Sequence, residues 1–361
     1  MKKHIPLLLG IVGVWILVLT IILNFTSIIA IRLGYIYSHF PLANFDGVHY
    51  LEIAKNGYTN NMRFMPLYPL LIRVVSSFIP FVPSYWIGAF ISLFFLIGSL
   101  LYLIKLLHSD YLNNQSRIII LSLLVFPTSF FFLSVYSESL FLFLAVSSLY
   151  YARKRKWMLA ALLGFFSSLT RIVGFLIVVP LLIEFFSQKS VKKNHHLIAL
   201  LLVPLGTALY ALYNYVRWGN PLLFIQAHSQ LSNGRSSTSL IFFPQTLYRY
   251  FKILTTVSVS LWEWKMALVE VLAFCFAAIG VYILWKLKVR LSYIIYTLVS
   301  LLVPASTGTF TGLPRYIIVL FPLFIIFSAL KNRVILISIL ILSFILQILL
   351  FLYFSRGYYV A

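Results

Sequence analysis

Residues 118–156 read IIILSLLVFPTSFFFLSVYSESLFLFLAVSSLYYARKRK, and this stretch decides the fold. Its apolar run is too long for a single membrane crossing, which takes about 20 residues of helix. It starts just after Arg117 and ends in Arg153-Lys154-Arg155-Lys156, a dense basic marker of the cytoplasmic side. Both ends lie on one side, so the run must be a hairpin. Its turn falls where polarity appears, from Pro127-Thr128-Ser129 to Tyr136-Ser137-Glu138-Ser139. The arms are short, so part of the turn should sit at membrane depth, against protein or a cavity rather than lipid. The whole chain agrees with this reading. Sixty-two per cent of its 361 residues are hydrophobic and ten per cent charged, which excludes a soluble globular domain. The apolar runs do not alternate and are too long for barrel strands. The expected class is an all-α polytopic membrane protein, a single integral membrane domain over residues 1–361.

Outward from the hairpin the same logic orders the chain. Lys2 and Lys3 place the N-terminus in the cytoplasm, and residues 5–31 form an uncleaved first span. Residues 32–83 are then a first extracytoplasmic loop, 84–107 a second span and 108–117 a short inside segment. Residues 157–186 form another hairpin, turning near 167–171 and leaving Arg171 on the outer side. Spans follow at 196–216, 266–285, 293–305, 315–330 and 334–354, about eleven in all. Residues 217–264 form a second extracytoplasmic loop, and 306–314 a short one. More than half of the 28 Lys and Arg lie in the short inside segments. The net charge of +21 is therefore read as topology and contact with anionic lipid, not as nucleic-acid binding. Cys275 is the sole cysteine, so there is neither a disulfide framework nor a cysteine metal site.

Only seven carboxylates exist, and two of them, Asp46 and Glu52, lie in Asn44-Phe45-Asp46-Gly47-Val48-His49-Tyr50-Leu51-Glu52-Ile53-Ala54-Lys55-Asn56-Gly57-Tyr58. Asp46 is placed to cap a short helix and Gly57 to end it in a left-handed turn. In the Pro-rich segment after it, Pro69 can open a second helix with Leu70, Leu71, Val74 and Val75 on one face. The topology puts Asp46, Glu52, Glu138, Arg63, Arg73, Arg171 and Arg315 on the outer side. A carboxylate among cations there suits an anionic substrate and a general base. Each residue also has a plainer reading. Asp46 can be a cap only, Glu52 a solvated helix charge, and Glu138 a partner of the helix dipole. Arg171 and Arg315 can snorkel to headgroups, and His49 can line its helix. His195 and His196 show no ligand spacing. No phosphate-binding glycine loop, zinc motif or acidic metal pair is present, so no cofactor is expected.

The segment from Phe45-Asp46-Gly47-Val48-His49-Tyr50 through Ile53-Ala54, Gly57-Tyr58 and Phe64-Met65-Pro66-Leu67-Tyr68-Pro69 resembles the first outer loop of the PIG-V family. These are GPI mannosyltransferases that add the second mannose, with their bacterial relatives. Phe126-Pro127, Tyr136-Ser137-Glu138-Ser139-Leu140-Phe141, Thr170-Arg171 with Gly174, and Pro314-Arg315-Tyr316 extend the likeness in order along the chain. Phe45 stands where the family usually has Trp. The resemblance implies a GT-C glycosyltransferase fold, a polyprenyl-phosphate sugar donor carrying mannose, and inverting transfer to a glycan or glycolipid on the outer side. It implies Asp46 as the catalytic base, with His49, Arg63, Tyr136, Glu138, Arg171 and Arg315 as substrate-binding residues; Arg171 and Arg315 would take the donor phosphate. The dense inside lysines suggest a bacterial cell membrane, which leaves the acceptor open. Two other classes compete. A lipid-glycan flippase or transporter would carry charges along a route through the spans, which here are almost free of carboxylates. A surface-polysaccharide polymerase or ligase would need a lipid-diphosphate donor.

Overall fold

The computed structural model describes residues 4–25, 40–110, 115–188, 194–231 and 241–361. Among them every regular element is helical and no strand occurs. Five helices are long and apolar enough to cross a membrane: Pro6–Leu23, Ser84–Ser109, His196–Trp218, Trp262–Lys286 and Arg333–Ser355. Shorter apolar helices accompany them at Leu67–Phe78, Trp157–Ser168, Ile172–Ser187 and Leu291–Ala305. The chain is an all-α polytopic membrane protein. Lys2, Lys3, residues 26–39 and 189–193, and residues 232–240 of the expected second loop lie outside the described residues.

In chain order the helices are α1 (His4–Leu23), α2 (Asp46–Asn56), α3 (Leu67–Phe78), α4 (Ser84–Ser109), α5 (Ser116–Leu124) and α6 (Glu138–Arg153). Then come α7 (Trp157–Ser168), α8 (Val178–Ser187), α9 (Asn194–Ala199), α10 (Leu202–Trp218), α11 (Leu223–Leu231) and α12 (Phe243–Thr256). The last are α13 (Trp262–Lys286), α14 (Leu291–Ala305), α15 (Leu313–Ile317), α16 (Ile325–Ser328) and α17 (Arg333–Ser355). Two compact units result. The first comprises residues 1–55, 68–146 and 324–360, and the second residues 56–67 and 147–323 with Ala361.

In the first unit α1 packs on α17. Gln347, fully buried on α17, accepts a hydrogen bond from Trp15 Nε1 at 3.0 Å and donates to the carbonyls of Leu124 and Phe126 at 2.9 Å each. A polar side chain in an apolar helix needs such partners, and here they join three stretches far apart in sequence. Where the hairpin turn was expected, an irregular segment with a 3-10 turn at Ser129–Phe132 separates α5 from α6. Ser129, Ser134, Ser137 and Ser139 are all buried, and Ser129, Ser134 and Ser139 donate to backbone carbonyls of Leu123, Phe130 and Phe132. This satisfies irregular backbone inside protein.

The second unit is organised by small residues. Where α7 and α10 pack together, a Cβ on Gly206 would lie 2.1 Å from Ser168 Oγ and 2.5 Å from the Phe165 carbonyl. One on Gly164 would lie 2.7 Å from Val203. Glycine lets the two backbones approach that closely. Elsewhere in this unit the buried Glu184 of α8 accepts from Ser292 Oγ at 2.6 Å. It also lies 3.6 Å from both Arg153 and Arg290.

Three expectations need correction. The run 315–330 is not one helix. It is broken into α15, a 3-10 turn Phe321–Phe324 and α16. Gly312 enters it at φ +81°, and Pro314 and Pro322 remove backbone donors that a continuous helix needs. Burial of nearly every residue from 313 to 325 lets this irregular path persist. Helix α3 begins at Leu67, two residues before Pro69. Its packed face is Tyr68, Pro69 and Ile72, whereas Leu70 and Val74 are exposed. Asp46 is the first residue of α2, not the residue before it.

Candidate active site

In the first unit the site residues gather around the start of α2. Phe45 adopts φ +55°, a left-handed conformation that a bulky residue avoids unless the surroundings impose it. The surroundings do so. Asn44, only 1 % exposed, donates from Nδ2 to the Phe354 carbonyl at 2.9 Å. Its own carbonyl accepts from the Tyr136 hydroxyl at 2.8 Å. The Phe45 ring meets Phe354 and Tyr359 at 5.9 and 5.5 Å. A Cβ on Gly47 would touch the Val135 carbonyl at 3.4 Å and the Tyr136 ring at 3.6 Å. The turn is thus held on both sides, and it presents Asp46, partly exposed, at a helix N-terminus where negative charge is favoured. His49 shares that helix face one turn on, with Nδ1 3.7 Å from Glu52.

Tyr136 and Glu138 are both buried to 1 % exposure. Beside them lie two pairs of hydroxyls. The Tyr50 hydroxyl lies 3.1 Å from Ser137 Oγ. The Tyr68 hydroxyl donates to the Gly88 carbonyl at 2.9 Å and lies 2.7 Å from Ser92 Oγ, and Ser92 donates to the Tyr136 carbonyl at 3.2 Å. Burial, with the nearby Tyr50 and Glu138, pushes the Tyr68 phenol above its usual value, so it stays a proton donor. Helix α3, read from sequence as part of the first loop, is therefore clamped to α4 through Tyr68.

The arginines belong to the second unit. Arg63 lies with its guanidinium 4.7 Å over the Phe64 ring. Its segment is tied down by Tyr210 donating to the Met62 carbonyl, Tyr58 donating to the Phe64 carbonyl, both at 2.8 Å, and the Leu67 amide donating to the Leu169 carbonyl at 2.9 Å. Arg171 opens a tight turn in which the Gly174 amide donates to the Arg171 carbonyl at 2.8 Å. A Cβ on Gly174 would lie 2.1 Å from the Ser167 carbonyl. Arg315, 7 % exposed, comes from α15. The two guanidiniums converge on one ring: Arg171 lies 4.5 Å and Arg315 5.4 Å from the centroid of Tyr316. Tyr316 stood in the sequence only as part of a Pro-Arg-Tyr motif. Its place beside two cations is visible only in three dimensions.

The structure thus joins Asp46, His49, Tyr136 and Glu138 within the first unit, and Arg171 and Arg315 within the second, with Arg63 also in the second. Among the described residues no group of three or more His, Cys, Asp or Glu is arranged to hold a metal ion. A family model described as Mannosyltransferase (PIG-V) matches residues 15–218, more than half of the chain. The chain belongs to the PIG-V mannosyltransferase family. No curated protein and no solved structure matches it. This membrane mannosyltransferase carries Asp46, His49, Arg63, Tyr136, Glu138 and Arg171 inside the matched region. Arg315, with the helices α11 to α14 that precede it, lies beyond.

Proposed function

We propose that the protein transfers mannose from a polyprenyl-phosphate donor to a hydroxyl of a glycan or glycolipid, on the extracytoplasmic side of a cell membrane, with inversion at the anomeric carbon. Asp46 accepts the proton of the acceptor hydroxyl. The acceptor oxygen bonds to C1 from the face opposite the phosphate while the C1–O bond to phosphate breaks, and polyprenyl phosphate leaves with that electron pair. Arg171 and Arg315 balance the charge that develops on the leaving phosphate. His49 and Glu138 contact the sugar or acceptor, Arg63 adds positive charge, and Tyr136 holds the turn that carries the base.

The observation that carries this reading is the held carboxylate. Asp46 is partly exposed on a turn whose neighbour Asn44 is locked by two buried hydrogen bonds. Pre-organisation of this kind is what a base positioned for one proton requires. The pair of guanidiniums on Tyr316 supports a phosphate-bearing donor.

The test uses purified full-length protein in nanodiscs, radiolabelled polyprenyl-phosphate-mannose and a glycolipid extract as acceptor. Wild type should transfer label. Asp46→Asn should lower kcat by about 10³-fold with donor binding kept. Undiminished transfer by Asp46→Asn would reduce Asp46 to a structural residue. Absence of transfer by folded wild type from any polyprenyl-phosphate sugar would sink the donor assignment.

A further inference from the structure

Helix α13 is apolar apart from its ends, yet it buries Glu270, and a carboxylate in that setting needs strong partners. Its partner is Tyr250 of α12, also buried, whose hydroxyl donates to Glu270 Oε2. The same hydroxyl oxygen accepts from the backbone amide of Phe310 at 2.9 Å and lies 3.0 Å from Thr309 Oγ1. Thr309 Oγ1 in turn accepts from the Thr311 amide at 3.1 Å. Two further bonds hold the loop 306–312. Arg249 donates to the Gly308 carbonyl at 3.2 Å and the Ile241 amide to the Ser306 carbonyl at 3.0 Å. The Phe310 ring stacks on Phe274 at 4.7 Å and 12°.

This loop has little stiffness of its own. Gly308 and Gly312 both take left-handed backbone, at φ +87° and +81°, and between them the bonds from Arg249 and to Tyr250 set the path together with the Leu313 amide donating to the Phe310 carbonyl at 2.8 Å. Three residues after Gly312 the chain reaches Arg315, whose guanidinium sits beside Tyr316. Burial and the Glu270 carboxylate hold the Tyr250 phenol above its usual value, so at physiological pH it remains the donor this network requires.

We propose that Tyr250 and Glu270 are positioning residues of the mannosyltransferase: they anchor the loop 306–312 and thereby fix Arg315 for the donor phosphate. The proposal rests on the reading of Arg315 as a phosphate ligand. It also gives the second long loop a task, since α12 belongs to the segment 217–264. Neither residue touches substrate; both act through Arg315. The bond joins two buried groups and is shielded from competing water, which strengthens it.

The test compares wild type, Tyr250→Phe, Glu270→Gln, Glu270→Ala and Arg315→Lys in nanodiscs, with Tyr250→Phe also placed on Arg315→Lys. Hydrogen exchange of peptides covering 306–312 and separate donor and acceptor kinetics with polyprenyl-phosphate-mannose are measured. Tyr250→Phe should speed exchange in the loop about tenfold and raise donor KM about tenfold, leaving acceptor KM and the melting temperature near wild type. Glu270→Ala should match it. Glu270→Gln keeps an accepting oxygen and should recover most of the loss. On Arg315→Lys, Tyr250→Phe should add less than about twofold, because both act on one contact. Unchanged exchange, full additivity, or parallel losses in both KM values and in melting temperature would each overturn the proposal. Wild type that takes no polyprenyl-phosphate sugar would overturn the donor reading instead, and the exchange measurement would still decide the anchoring.

Discussion

At the scale of single residues, side chains outside the proposed chemistry hold the turn that carries Asp46. Asn44 fixes the turn before Asp46 by one side-chain and one backbone hydrogen bond, both buried. Replacing it by Ala removes the bond to the Phe354 carbonyl and frees a strained Phe45. The Phe354 carbonyl keeps the Gly357 amide as a donor at 3.0 Å, so loss of the buried side-chain bond should lower stability by about 0.5–1.5 kcal/mol. We expect Asn44→Ala to lower kcat about tenfold with donor KM unchanged, read from steady-state kinetics beside a melting curve. Arg171 behaves differently. Its planar guanidinium lies over Tyr316, a geometry lysine cannot reproduce. Arg171→Lys should therefore raise donor KM about tenfold while leaving kcat for bound donor within about threefold, checked by varying donor at saturating acceptor. Asp46, Arg171 and Arg315 were legible in the sequence as charges that are costly near a membrane. Tyr316, Asn44 and Tyr250 were not, because a tyrosine or asparagine carries no comparable sign until its partners are known.

At the scale of elements, close helix packing is the feature most sensitive to change. A methyl group on Gly206 meets the Phe165 carbonyl, which is backbone and cannot rotate away, so α7 and α10 would have to separate. Gly206→Ala should lower stability by about 1–3 kcal/mol, measured as a lower melting temperature in detergent. Gly13→Ala is the control, since nothing lies within 4 Å of its Cβ position. Gln347→Leu removes all three hydrogen bonds that join α1, α17 and the end of α5. Because interhelical hydrogen bonds in membranes are individually modest, the loss should be about 1–2 kcal/mol, read in the same assay. Helix positions were largely readable from the pattern of apolar runs: α4, α13, α14 and α17 begin and end within a few residues of the spans expected. Which face of α3 packs was not readable. Leu70 and Val74 are as apolar as Ile72, and only the fit of Tyr68 against Gly88 and Ser92 decides between them.

At the scale of the whole molecule, charge is scarce and grouped. Carboxylates are few, and the described residues form no cluster suited to a metal ion. With arginines available to balance a donor phosphate, transfer should continue within about twofold in excess EDTA, measured by product formation with and without added divalent ions.

The sequence by itself determined that this is a helical membrane protein, where its longest helices lie, and which family motifs it carries. These follow from hydrophobic length, from basic punctuation and from motifs that are contiguous in the chain, and the bilayer imposes one length rule on all of them. Tertiary structure alone decided that 313–328 is broken, that Tyr136 holds the turn of Asp46 across 92 residues, that Arg171 and Arg315 share one ring, and that Glu270 is answered by Tyr250. The reason is physical. A buried polar group must find a partner wherever packing brings one, and distance along the chain places no limit on where that is.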